Sequence, residues 1–71
     1  MTHDQLENWF THHPPKDAET IARYQAIRQA GLAFASVILE HTPIGLDQTA
    51  AVRKVREAVM TANAAIACGG N

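Results

Sequence analysis

The chain has 71 residues, and a chain that short buries only about 60% of the surface its unfolded form exposes, so a single copy holds a marginal core. Its one cysteine excludes an internal disulfide, and no C-x-x-C or Cys/His cluster offers structural zinc in its place. Hydrophobic residues at 46% against 18% charged indicate a folded chain, while a net charge of -1 disfavours a dedicated binder of duplex DNA or polyphosphate.

The N-terminus, Met1-Thr2-His3-Asp4-Gln5, lacks a basic stretch followed by an apolar run, so no export signal is expected and the cytosol is the default location. Thr2 to Phe10 reads as a short helix, with Thr2 as its cap and Asp4 and Glu7 near its positive end. Thr11-His12-His13-Pro14-Pro15 cannot continue it: each proline lacks an N–H and pushes the residue before it towards extended geometry. A stiff, extended connector is expected.

Asp17 is the expected N-cap of a second helix running to about Glu40. Ile21, Tyr24, Ile27, Gly31, Phe34 and Ile38 recur along it at steps of three and four, which places them on one face, with Arg23 and Gln25 off it. Leu32, Ala35 and Leu39 form a second apolar stripe; Leu32 to Leu39 is the longest apolar stretch, far short of the roughly 20 residues of a membrane helix. A two-helix monomer has one side to bury, so the second stripe calls for another subunit. Gly31 in mid-helix costs about 1 kcal/mol against alanine, which implies a close approach or a bend.

His41-Thr42-Pro43-Ile44-Gly45 ends that helix, and Asp47 is the expected cap of a third, from about Gln48 to Ala67. Val52, Val55, Val59, Ala62 and Ile66 give it an a/d-type seam, and Ala51, Ala58 and Ala65 a small-sided opposite flank. The two long helices, joined by a few residues, predict an antiparallel hairpin; Cys68-Gly69-Gly70-Asn71 reads as its stop. The expectation is a single all-α domain over residues 1–71: a short N-terminal helix followed by a long antiparallel two-helix hairpin, assembled as a homo-oligomer.

The histidines, His3, His12, His13 and His41, show no metal-binding spacing, and adjacent His12 and His13 point to opposite sides of an extended segment. No metal and no cofactor is expected. An enzyme is disfavoured too: there is no G-x-S-x-G, no Gly-rich phosphate loop and no paired-carboxylate motif, and His41-Thr42-Pro43 fails the H-x-[ST] spacing of a phosphodiesterase. Cys68 reads as a small helix-end residue.

The aromatic and basic residues near the first turn carry more. Trp9, Phe10, His12 and Tyr24 supply flat faces, and Lys16, Arg23 and Arg28 supply positive charge, a mixture suited to stacking bases and holding phosphates. Phe10 and Tyr24 equally suit packing the first helix onto the hairpin, whereas His12 and Arg28 lean to function. Arg53, Lys54 and Arg56 read first as a solvated face, and otherwise as a phosphate-facing ring about an oligomer axis.

The string Trp9-Phe10-Thr11-His12-His13-Pro14-Pro15-Lys16 is similar to an F-T-Y-H-x-P element, Arg23-Tyr24-Gln25-Ala26-Ile27-Arg28 to R-Y-x-x-I-R, and Glu57 to Ala67 to E-A-V-M-x-A-N-A-x-I-A. In that order they resemble the phage anti-CBASS cyclic-nucleotide sponges and the hairpin domain of the anti-Thoeris sponges. The resemblance spans roughly Trp9 to Ala67. It implies a homohexamer that binds cyclic dinucleotides between protomers, with cyclic trinucleotides or cyclic ADP-ribose isomers held by some relatives, and releases them intact. It places His12 at the tyrosine of F-T-Y-H, where imidazole still stacks with less area, and Arg28 at the last arginine of R-Y-x-x-I-R, with Arg23 second for a phosphate contact.

Cys68 stands where many relatives carry arginine, which weighs against trinucleotides more than dinucleotides. Asn63 is expected to pair across a helix interface. The expected function is thus sequestration of cyclic oligonucleotide immune messengers in the host cytoplasm, with Phe10, His12, Lys16, Arg23, Tyr24 and Arg28 as the ligand-binding set. Two rivals stand beside it: a protein-interaction module using the second apolar stripe, and a nucleotide-degrading enzyme.

Overall fold

In the computed structural model, which describes residues 1–70, three helices follow one another: α1 (His3–Phe10), α2 (Ala18–His41) and α3 (Leu46–Ala67). Thr2 caps α1 as expected and does so reciprocally: its Oγ1 accepts from the Gln5 N–H at 3.1 Å while the Gln5 side chain accepts from the Thr2 N–H at 2.9 Å. The Thr-x-x-Gln spacing of a capping box was the signal for that second bond. Thr11 ends α1 in extended geometry, its hydroxyl donating back to the Glu7 carbonyl at 2.7 Å.

Asp17 caps α2, accepting the Thr20 N–H at 2.8 Å. The helix ends at His41, where the Thr42 N–H and hydroxyl both donate to the Ile38 carbonyl. The expected start of α3 needs correction. Its cap is Gly45, not Asp47, and the helix opens at Leu46. The Gly45 carbonyl takes the first helical bond, from the Thr49 N–H at 3.2 Å, so the turn closes two residues earlier than an Asp47 cap would allow. Asp47 lies inside the first turn, where its charge still favours the positive helix end. Gln48 ties the hairpin bend, its amide donating to the Thr42 carbonyl at 3.2 Å and the Leu39 carbonyl at 3.5 Å.

At the other end of α3, Gly69 and Gly70 take left-handed φ values of 66° and 88°. Gly70 N–H reaches the Ala65 carbonyl and Gly69 N–H the Ile66 carbonyl, the paired bonds of a Schellman stop. The expected stop at Cys68-Gly69-Gly70 is thus present; Asn71, read with it, lies outside the described residues.

The hairpin is closest at Gly31. A Cβ built there would sit 2.5 Å from Val59 Cγ2, so the glycine marks a close approach of the two helices. Tyr24, Ile27, Gly31, Ala35 and Ile38 are half-buried along α2, against Ala51, Val52, Val55, Val59, Ala62 and Ile66 of the expected α3 seam and flank. Phe34 and Ile21, placed on the buried face by their spacing, are exposed instead. With the helices drawn together at Gly31, one turn further on the small Ala35 takes the half-buried position, and the Phe34 ring turns out into a groove beside the seam.

No described residue is fully buried. The reason is thickness: the Cα atoms span 44 × 30 × 15 Å, and 15 Å leaves no room for a second layer over helices about 10–12 Å across. Both flanks of the seam are open. One carries a groove of about 560 Å³ over Gly31, Phe34, Ala51 and Ala58, the other a groove of about 240 Å³ over Arg28, Leu32, Ala35 and Met60. Leu32 is 71% exposed. Among the described residues, no helix is long and apolar enough to cross a membrane.

Candidate functional site

Three pieces of chain distant in sequence meet at the open end of the hairpin. The last turn of α1 and the connector supply Asn8, His13, Pro14 and Lys16; the start of α2 supplies Thr20, Arg23 and Tyr24; the end of α3 supplies Ile66 to Gly69. Between them lies a cleft of about 610 Å³, and unlike the two hairpin grooves, which are almost wholly apolar, its wall is about half polar.

Asn8 holds this arrangement together. Its side-chain amide donates to the Cys68 carbonyl at 3.1 Å, across 60 positions of sequence. Its own backbone carbonyl lies 2.8 Å from Nε2 of His13 and accepts the Cys68 thiol at 3.7 Å. Helix α1 is thereby pinned to the end of α3, and the Pro14-Pro15 segment carries the chain stiffly from it to α2. Asn8 and His13 are half-buried, whereas His12 is exposed, the alternation expected of an extended strand of chain.

The charges are available to a ligand. Arg23 pairs with Glu19 at 2.7 Å, but both side chains are mostly exposed, and such a helical pair contributes a few tenths of a kcal/mol. A phosphate can therefore displace Glu19 from the guanidinium at little cost. Nearby Asp17 is held below the usual carboxylate range, first by the backbone hydrogen bond from Thr20 and then by the Thr20 side chain, with Arg23 and Lys16 adding lesser attraction. It stays anionic and fixes where α2 begins.

Tyr24 joins the cleft to the neighbouring surface. Its ring borders the cleft, and the Arg28 guanidinium carbon lies 5.8 Å from the ring centroid, within cation–π range. Of the residues expected to bind a ligand, the structure brings Lys16, Arg23 and Tyr24 into one cleft. Arg28 reaches it only through the Tyr24 ring and lines the smaller hairpin groove beside Arg56. Phe10 and His12 lie outside the lining, and Phe10 is 83% exposed.

Asn8, His13 and Thr20 belong to the cleft and were not singled out for ligand binding from sequence. His13 had a usable signal, since the connector must turn one of two adjacent histidines inward. Asn8 had none, because its partner is contributed by the opposite end of the chain. Among the described residues, no three of His, Cys, Asp and Glu converge as a metal site would require. Asn63 does not make the expected pairing within this chain: its Oδ1 is buried and has no partner among the described residues.

A family model described as Acb2/Tad1, hairpin domain, matches residues 2–67, which takes in all three helices and every residue of the cleft up to Ala67. Neither the curated proteins nor the solved structures compared with the chain gave a match.

Proposed function

The chain belongs to the Acb2/Tad1 hairpin-domain family, known for sponge-like binding of signalling molecules, and on that premise we propose that it sequesters cyclic oligonucleotide immune messengers without cleaving them. Cyclic dinucleotides are the first choice of ligand; cyclic trinucleotides and cyclic ADP-ribose isomers are the further members of the panel. The observation that carries this reading is the cleft itself, where two cations and an aromatic ring converge on about 610 Å³. Lys16 and Arg23 meet the phosphates, and the Tyr24 ring, held by Arg28 on one side, gives a base a flat surface.

Phe10 and His12 act from the outer edge, where a ligand shared with a second copy would meet them. The open grooves on both flanks of the hairpin support assembly, and the homohexamer implied by the family resemblance is the proposed form. Sequestration in the cytoplasm of a phage-infected host would lower free messenger below the threshold of the defence effector. Binding must then be tight, since one site removes one molecule; nanomolar affinity corresponds to about -12 kcal/mol.

Calorimetric titration with cyclic dinucleotides, cyclic trinucleotides and cyclic ADP-ribose isomers tests this, followed by chromatography of ligand released by heat. Tight binding with intact ligand recovered supports the sponge. Cleaved ligand would replace it with an enzyme. A protein-interaction module is the second reading, favoured by the apolar stripe and by Ile44 and Leu46, which are more than 90% exposed at the hairpin bend; silence across the panel from a folded protein would select it.

A further inference from the structure

We propose that His13 is the hydrogen-bond acceptor by which the cleft reads its ligand: Nδ1 accepts from an amino or hydroxyl group of a bound nucleotide while Nε2 stays committed to the Asn8 carbonyl. This rests on the cleft being the messenger site. The argument begins with that 2.8 Å contact. A carbonyl oxygen only accepts, so Nε2 carries the proton in this contact, and a ring with that single proton presents a lone pair on Nδ1. The Asn8 carbonyl is itself held from both sides, by α1 and, through Cys68, by α3. The ring's orientation is therefore set before any ligand arrives.

Apart from Asn8, whose amide is committed to Cys68 through its N–H, the side chains of the polar wall offer no other fixed acceptor. Lys16 and Arg23 can only donate, and the hydroxyls of Thr20 and Tyr24 rotate to suit either role. Donors of this kind hold any phosphate, whatever nucleoside it carries. A fixed acceptor changes that: a ligand that presents an N–H or O–H to it is paired, and one that does not leaves a desolvated lone pair behind. His13 thus supplies discrimination where Lys16 and Arg23 supply attraction. The donor group has two sources in a nucleotide, the exocyclic amine of a base and the ribose hydroxyl.

The experiment measures binding of 3′,3′-cyclic di-AMP, its 2′-deoxy analogue and cyclic di-IMP, in which a carbonyl replaces the purine amine. Wild-type protein is expected to bind cyclic di-AMP about tenfold or more tightly than one of the two analogues, and which analogue suffers identifies the source. His13→Lys keeps a donor for the Asn8 carbonyl and has no acceptor; it is expected to bring the preference to within about twofold while keeping at least the wild-type affinity for the weaker analogue. A preference that persists in H13K, or no preference in wild type, overturns the assignment alone. Absence of binding to all three by folded wild-type protein overturns the messenger site and the assignment with it. Should H13K not fold, long-range 1H–15N spectra of wild type decide the matter: Nδ1 is expected unprotonated and shifted by cyclic di-AMP, and a protonated Nδ1 in the free protein, or one unmoved by bound ligand, overturns it.

Discussion

Asp17 sits between two roles, cap of α2 and neighbour of the cationic cleft, and its chemistry is decided by the first. Hydrogen bonds from Thr20 to the carboxylate favour its charged form, so its pKa lies below that of the unfolded chain. The sign follows by linkage: the stabilisation is present in full above the unfolded pKa, about 3.9, and is lost as pH falls through the lower folded value. An NMR titration of the Asp17 carboxyl is expected to give a midpoint below the ordinary carboxylate range, and Thr20→Ala, by removing the side-chain bond, to move it upward. For ligand binding, Arg23 borders the cleft while Arg28 acts across the Tyr24 ring. Arg23→Ala is therefore expected to weaken cyclic-dinucleotide binding by roughly tenfold or more, the scale of one charge-assisted contact, and Arg28→Ala by less; calorimetry at fixed ionic strength ranks them.

At the scale of elements, boundaries set by side-chain caps and by glycine and proline were legible, because the bonds involved span three to five residues. Thr2, Asp17 and the Gly69-Gly70 stop are of this kind. Position 45 was harder: a glycine cap makes no side-chain bond, while Asp47 two residues on offers a better cap on paper. The seam of α2 holds Tyr24, Ile27, Gly31 and Ile38 as their spacing implies, but leaves Ile21 and Phe34 exposed, and at Phe34 the reason is that spacing cannot choose between neighbours 34 and 35 without knowing how near α3 comes. Gly31 measures that nearness. Gly31→Ala gains about 1 kcal/mol of helix propensity, but a Cβ 2.5 Å from Val59 Cγ2 costs about 1–3 kcal/mol of overpacking, so the clash wins. A net loss of about 1 kcal/mol lowers Tm by roughly 4–8 °C at fixed protein concentration, and adding Val59→Ala, which removes the offending methyl group, is expected to recover part of it.

For the molecule as a whole, a single layer of helices with no fully buried residue among those described leaves apolar surface open on both flanks, the surface on which the proposed assembly rests. Leu32, 71% exposed beside Met60 and Arg28, lies on the smaller groove rather than in the seam. Leu32→Asp is accordingly expected to leave the intramolecular hairpin contacts intact and to abolish assembly; light scattering coupled to size exclusion should report the wild type as an oligomer and the variant as a monomer with a lower Tm. An unchanged mass in the variant would move the interface to the other groove, where Phe34 is the equivalent probe.

The sequence by itself determined three helices and their direction changes, because these depend on hydrogen bonds and periodicities local to the chain, and its ordered motifs pointed to the family; for Gly31 it left a close approach or a bend, and the structure decided for the approach. It also assembled the right chemical mixture near the first turn. Only the tertiary structure decided which members of that mixture share a cleft. Lys16, Arg23 and Tyr24 meet there because Asn8 reaches Cys68 across 60 positions and draws α1 over the end of α3, and no local rule predicts a bond between chain ends. The same arrangement turns His13 inward and leaves His12 and Phe10 outside, turning an ambiguous pair of histidines into one half-buried ring bonded to Asn8 and one exposed ring.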